Sequence, residues 1–583
     1  MGTSNTVVTG RSATSPSNNK MGTKVEVPLL DTIPVIFIPG IMGSNIKHKE
    51  FGKVWDMPNG KVAGMKTASK RSQLTPAELQ RQLDPEKTFV DDSGTIKVDK
   101  RLKLDEKTLR KRYWGTVHWD SYGDILTYLQ LVLNNVSAEQ PNFYPTSAMS
   151  GDVINQLKQH EATVEWMSLL REYIFKHWSP QEKFLATNKQ EIEHLKNFNF
   201  PVYAMGYNWL QSNEDSADII LKKLKAIKAE YGTRFHKFII VSHSMGGLVT
   251  RRLAQLCGDD IAGVVHGVMP ADGAAAAYRR IVSGSYEGGG LVPWITSFVL
   301  GPNTEHVTAV LANSPGGLEL LPNAEYNDGQ PWLTLQGRNE KNELVEVQLP
   351  SKDAEGVVDP YEQIYKADKV WWEMVKAELI DPANMTRKAD SKKQPKDIYK
   401  DRIEKVKSFH SNIVNKYHPH TYVSYGHDSK FKSFSTLTWT LDQKLQGLNK
   451  RQLQTLRSST ENEKAAHRQK IVQEQMKKIK EGNGRDVQVN TKEVAMENNG
   501  VRYITLSSGN IGVFSISSQD GDGDGTVPWQ SGRAPFKKPG VKQVFQMTGF
   551  DHQESYKNSN VKRSTLYSIV KIIKDNNIKP KFR

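Results

Sequence analysis

Ser244 stands where a nucleophile can be made. It follows the apolar run Phe238-Ile239-Ile240-Val241 and precedes Met245-Gly246-Gly247 and a helical stretch from Leu248 to Cys257. A β-branched apolar run reads as a buried strand. A turn of small residues from such a strand into a helix is the setting of a nucleophile elbow, where a serine is held at a strained backbone position with its hydroxyl above the sheet edge. The residues two before and two after must be small so that strand and helix can approach; here they are Ser242 and Gly246. The usual pattern is G-x-S-x-G, so Ser242 is a departure. The plain alternative is a surface serine on an ordinary strand–helix turn.

A serine hydroxyl needs a base, and the base needs an acid to orient it. In enzymes built on such an elbow, the acid and then the histidine follow the serine along the chain. Beyond Asp524 there is one histidine, His552, on a loop after the strand-like Val541 to Met547. His243 neighbours the nucleophile but points elsewhere on the turn, and His118, His266 and His427 lie on elements that would need special geometry. Asp524 lies between Gly523 and Gly525, which lets its loop turn tightly toward an imidazole. Asp520, Asp522 and Asp272 are alternatives for the acid. Asp520, Asp522 and Asp524 also spell the opening of a calcium loop. Its twelfth position is Ser531, which cannot supply the bidentate carboxylate such a loop needs. No metal and no cofactor is therefore expected. An oxyanion requires two backbone N–H groups. Met245, directly after the nucleophile, supplies one, and Ile41 in the Pro39–Gly43 turn supplies the other.

These residues need a sheet to bring them together. Val35–Ile38, Pro201–Met205, Phe238–His243, Ile261–Val268, Thr421–Gly426 and Val541–Met547 read as strands. Helical spacing appears in Asp218–Tyr231 and Val561–Lys574. Alternating strands and helices specify an α/β fold with a mostly parallel sheet flanked by helices, here with large, mainly helical cap or lid insertions. The chain divides into a disordered tail (1–25), the core start with the oxyanion turn (26–46), an insertion (47–198), core with the elbow (199–275), a cap or lid (276–419), a core strand (420–427), a helical basic insertion (428–505), and the core end carrying acid and base (506–583).

Composition bounds the class. At 583 residues the chain exceeds one ordinary core. No run of about 18 apolar residues marks a membrane span. Met1 to Lys24 lacks the apolar segment of a signal peptide, so synthesis in the cytoplasm is expected, with export, if any, by a signal-independent route. Cys257 is the only cysteine, which excludes an intrachain disulfide. Lys and Arg number 79 against 64 Asp and Glu, a net charge of +15 that favours anionic partners. The excess is concentrated in Thr386–Lys416 and Lys450–Lys480, which could equally be solvated helix faces.

Several of these segments resemble the lecithin:cholesterol acyltransferase-like branch of the α/β-hydrolase superfamily. Pro39-Gly40-Ile41-Met42-Gly43-Ser44 is similar to its P-G-x-x-G turn. Gly206-Tyr207-Asn208-Trp209 is similar to its Y-D-W segment, with Asn for Asp. Ser242-His243-Ser244-Met245-Gly246-Gly247 resembles G-H-S-x-G-G, and Gly523-Asp524-Gly525-Thr526-Val527-Pro528 resembles its G-D-G-T-V acid loop. The resemblance implies catalysis by Ser244, Asp524 and His552 on a lipid acyl ester, with hydrolysis and transfer to another alcohol sharing one triad. It covers the core strands and turns, not residues 47–198 or 428–501. The basic insertions and the Gly-rich segment Gly288–Pro302 resemble type VI secretion lipase effectors.

A bacterial phospholipase A-type enzyme is the expectation that follows. Gly288–Pro302 reads either as a lid or as a core helix of the cap. Arg387, Lys392, Lys393 and Lys396 read as a peripheral contact to anionic headgroups. An exported effector would act on a target cell's periplasm or membrane and would require an immunity protein. Two rivals differ in class. A nucleic-acid-binding protein would explain the charge, but no recognition module or interleaved aromatics accompany the basic runs. A catalytically dead hydrolase scaffold would explain the fold, but not the complete serine, acid and histidine set.

Overall fold

A computed structural model describes residues 8–13, 22–27, 30–56, 73–137, 161–171, 176–284, 301, 303–386, 393–480 and 500–581. Six strands make the central sheet: β1 (Val35–Ile38), β2 (Val202–Ala204), β3 (Phe238–His243), β4 (Ile261–Gly267), β5 (Thr421–Gly426) and β6 (Val541–Met547). They lie in the order β6-β5-β4-β3-β1-β2. Every neighbouring pair is parallel. Every residue of β1 to β5 is buried, as a sheet covered on both faces requires.

Among the described residues, four of the longer helices lie against it: α1 (Trp119–Leu133), α2 (Asn213–Tyr231), α3 (Gly246–Cys257) and α4 (Ser559–Asp575). The period of two along the strands decides which helix meets which residue. Ile36, Ile38 and Ile240 share a core with Ile220 and Leu224 of α2 and Leu248 and Leu253 of α3. Val35, Phe37, Ile239 and Val241 share the other with Ile125 and Leu129 of α1 and Leu566 and Ile569 of α4. In isolation, 17-residue α4 would be marginal in water. Burying Val561, Leu566, Ile569, Val570, Ile572 and Ile573, at about 1.5–3 kcal/mol each, fixes it on the sheet.

Beside this core stands a second six-stranded sheet, built from Leu333–Asn339, Leu344–Leu349, Leu437–Leu445, Arg457–Ser458, Val501–Thr505 and Ile511–Ile516. Its Leu333, Leu335, Trp439 and Phe514 join the same buried cluster as α2 and α3, so the two sheets share one apolar core.

Several expectations are corrected here. The segment 428–505 is not simply helical: Asp428–Ser433 and Leu437–Leu445 are strands. Leu437, Trp439 and Leu441 alternate inward with polar residues between, which is a strand's pattern. Residues 47–198 are not set apart from the core, because they supply α1. Within the expected disordered tail, Val8–Ala13 pairs antiparallel with Gly22–Val27. Lys396 is not a headgroup contact: it is buried, with Nζ 3.1 Å from Glu373. Lys393 bonds Asp401 at 2.7 Å, while Arg387 and Lys392 lie outside the described residues. All of Gly288–Pro302 except Gly301 does so too.

Candidate active site

The three chemical groups arrive from three loops at one end of the central sheet. Ser244 follows β3 directly and has φ +51°, a left-handed conformation for a residue that carries a Cβ. Its N–H is held by Gly267 O at 2.9 Å, and its carbonyl accepts Gly247 N–H at 2.8 Å as α3 begins. A Cβ on Gly246 would lie 2.4 Å from Pro39 O, so the helix can start this close to the neighbouring turn only without a side chain.

Ser242 has a use that the glycine of the usual pattern lacks. β3 and β4 place it opposite His266, and its Oγ lies 2.8 Å from His266 Nδ1. Burial, and then Arg251, push His266 down to about 3, so the ring is neutral at neutral pH. Ser242→Gly removes that partner inside the core. An unsatisfied buried polar group costs about 1–3 kcal/mol. The variant is therefore expected to unfold at lower denaturant while keeping near-wild-type turnover. A urea melt with a parallel esterase assay checks this.

His552 and Asp524 sit on either side of the last strand. Asp524 lies on the long connection between β5 and β6, and His552 lies five residues past β6. Asp524 is 1% exposed. Its Oδ1 accepts Thr526 N–H at 3.0 Å and Val527 N–H at 2.7 Å, and its Oδ2 is 2.8 Å from His552 Nδ1. His552 Nε2 is in turn 2.8 Å from Ser244 Oγ. The His552 N–H bonds Asp524 O at 2.7 Å, so the two loops are joined through the main chain as well. Asp428 Oδ2 accepts Gly549 N–H at 2.8 Å and so tethers the loop that carries His552.

The other candidate acids face elsewhere. Asp520 accepts from Ser435 and Thr436. Asp522 pairs with Lys432 at 2.5 Å. Asp272 is bonded by Asn323, and burial raises its pKa. The carboxylates of the calcium-like motif thus diverge, and Ser531 accepts the Asp272 N–H instead. Of the competing histidines, His118 bonds Ser121, and His427 stacks on Trp529 with ring centroids 5.0 Å apart.

The glycine turn after β1 lies against the elbow. A Cβ on Gly40 would be 2.9 Å from Ser244 Cβ. Met42 has φ +62°, and Trp55 Nε1–H donates to its carbonyl at 2.9 Å. Among the described residues, neither Ile41 N–H nor Met245 N–H has a hydrogen-bond acceptor. Hydroxyl, imidazole and carboxylate in series can move a proton from oxygen to nitrogen. Two free N–H groups beside them can receive a developing negative oxygen.

Sequence places His243 beside the nucleophile and pointing elsewhere on the turn, but does not reveal its partners, and it gives no sign of Tyr122. His243 turns away from Ser244, with Nδ1 3.0 Å from Tyr122 Oη and Nε2 3.0 Å from His552 O.

Residues 187–533 match the lecithin:cholesterol acyltransferase family. The chain belongs to that family. Membership places it among lipid hydrolases and acyltransferases. The matched region contains Ser244 and Asp524, begins after the Pro39–Gly43 turn and ends before His552. No curated protein matches the chain. A chain in the crystal structure of the Tle4–Tli4 complex is similar over 94% of this chain and 99% of its own, at 29% identity and a TM-score of 0.68. Phospholipase PlaB from Legionella pneumophila matches over 45% of this chain and 72% of its own, at 12% identity and a TM-score of 0.15, too little to argue from.

Proposed function

We propose that this protein is a serine esterase that cleaves acyl esters of membrane phospholipids, a phospholipase A-type activity. The observation that carries the reading is the unbroken series Ser244 Oγ–His552 Nε2 and His552 Nδ1–Asp524 Oδ2, each 2.8 Å. Ser244 attacks the ester carbonyl while His552 takes its proton. Asp524 holds the ring in the tautomer with hydrogen on Nδ1 and stabilises the imidazolium. The tetrahedral oxyanion rests on the N–H groups of Ile41 and Met245. His552 then returns the proton to the departing lysophospholipid. Water, activated by the same histidine, frees the fatty acid from Ser244.

Family membership supports the lipid substrate. Among the described residues no helix is long and apolar enough to cross a membrane, which fits peripheral contact with the bilayer. The similar chain is solved in a complex with Tli4. By analogy, this enzyme has a dedicated protein inhibitor, as an effector exported to a target cell's periplasm or membrane would need.

Vesicles of phosphatidylethanolamine and phosphatidylglycerol, with products read by mass spectrometry, test the activity. Equimolar fatty acid and lysophospholipid are expected, at rates well above those on a short soluble ester. Activity confined to the soluble ester would overturn the phospholipid assignment. The second reading, acyl transfer, draws on the same family membership. An added long-chain alcohol would then yield its ester in place of free fatty acid.

A further inference from the structure

We infer that Tyr122 and His243 act together as positioning residues, locking the oxyanion turn and the catalytic histidine's loop into one register. The inference rests on the assignment of Ser244, His552 and Asp524 as the reacting set.

Each hydrogen bond in this network has a forced direction. The His552 carbonyl can only accept, so His243 Nε2 carries the hydrogen of their 3.0 Å bond. His243 is 1% exposed, and burial, followed by the charge of His552, pushes it down to about 3. It therefore stays neutral, and Nδ1 can only accept. The Tyr122 hydroxyl must then donate to Nδ1, at 3.0 Å. That leaves the Tyr122 oxygen to accept, and it takes the Gly40 N–H at 3.0 Å. The side chain of Gln553, next to His552, hydrogen-bonds the same hydroxyl.

The chain of bonds runs from Gly40, the residue before Ile41, through Tyr122 and His243 to the main chain of His552. It joins four segments that are far apart in sequence: the turn after β1, α1, the elbow and the loop after β6. A Cβ on Gly40 would lie 2.8 Å from His243 Nδ1, so the turn sits directly on this ring. The two sides of the reaction, oxyanion stabilisation and proton transfer, are thereby tied to one buried imidazole that never needs to titrate. Errors of about 1 Å in such placement cost about 100-fold in rate.

Tyr122→Phe keeps the buried ring and deletes only the hydroxyl. With a soluble p-nitrophenyl ester, kcat per fluorophosphonate-titrated site is expected to fall about 10- to 100-fold with KM within about twofold. His243→Gln retains an amide that can donate to the His552 carbonyl, whereas His243→Leu does not. Glutamine is expected to keep at least about tenfold more kcat than leucine. Wild-type kcat per titrated site in Tyr122→Phe, or equal kcat in the two His243 variants, overturns the positioning role. So does a loss that only follows the unfolded fraction seen by circular dichroism. Failure of the catalytic assignment looks different: wild-type protein would not label at Ser244, and Ser244→Ala would still turn over.

Discussion

Ser244→Ala is expected to lower kcat for ester hydrolysis by about 10⁶-fold and to abolish fluorophosphonate labelling. The size of the effect follows from the absence of any substitute at the site. Ser244 Oγ is the oxygen bonded to His552 Nε2, and the hydroxyl of Ser242 is turned to His266 on the neighbouring strand. What remains in the variant is the oxyanion turn and binding, which alone give about 10³–10⁴ over water in comparable sites. Stability should respond in the opposite sense to activity. The elbow holds a Cβ-bearing residue at φ +51°, a strain of about 1–3 kcal/mol. Alanine keeps that strain, because it keeps the Cβ. Ser244→Gly releases it and is expected to be as inactive as alanine but to unfold at higher denaturant than either alanine or wild type. Parallel urea melts and esterase assays on the three proteins decide it. Appreciable turnover by Ser244→Ala would remove Ser244 as the nucleophile. Equal stability of Gly and Ala would show that the elbow stores no strain.

The elbow was readable from sequence because its determinants are local. A β-branched strand, three small residues and a helix specify the turn within a dozen positions. His552 could be reached by chain order, since the acid and base of this topology must lie beyond the strands that carry them. Asp524 is favoured over Asp520 and Asp522 by its glycine-flanked loop ahead of His552, and further by its resemblance to a known acid loop. What separates the three in the structure is which backbone N–H groups and side chains each carboxylate meets, and sequence spacing does not encode that. The second sheet was missed for a similar reason. Leu437, Trp439 and Leu441 do alternate, but the long, charged segment around them masks a period of two over so short a stretch. Lys396 looked like a surface cation among others. Only the fold shows that Glu373 meets it in the interior. Tyr122 and His243 lie 121 positions apart, and a hydrogen bond between distant polar residues leaves no periodic trace.

Asp524→Asn is expected to cost about 10⁴-fold in kcat while leaving KM and the fold nearly unchanged. The argument turns on which way the new amide must face. Thr526 and Val527 both present N–H groups to the Oδ1 position, at 3.0 and 2.7 Å. Only the amide oxygen can accept them, so the NH₂ group is forced into the Oδ2 position, toward His552 Nδ1. There it can only donate, which makes Nδ1 an acceptor and moves the imidazole hydrogen to Nε2. The nitrogen facing Ser244 Oγ then carries a hydrogen and cannot accept the serine proton. The backbone bond from His552 N–H to Asp524 O, 2.7 Å, is untouched by the substitution, so the two loops stay joined. The loss therefore measures tautomer and charge rather than collapse of the site. A further consequence distinguishes it from a simple deletion. Asp524→Ala leaves His552 Nδ1 without a partner and free to adopt either tautomer. It should retain more activity than Asn at high pH, where hydroxide can help remove the serine proton. The pH profiles of kcat for wild type, Asn and Ala, measured on a soluble ester, test this. A wild-type profile for Asp524→Asn would hand the acid's role to another carboxylate, and Asp428, whose Oδ2 holds Gly549 at 2.8 Å, would be the next to mutate.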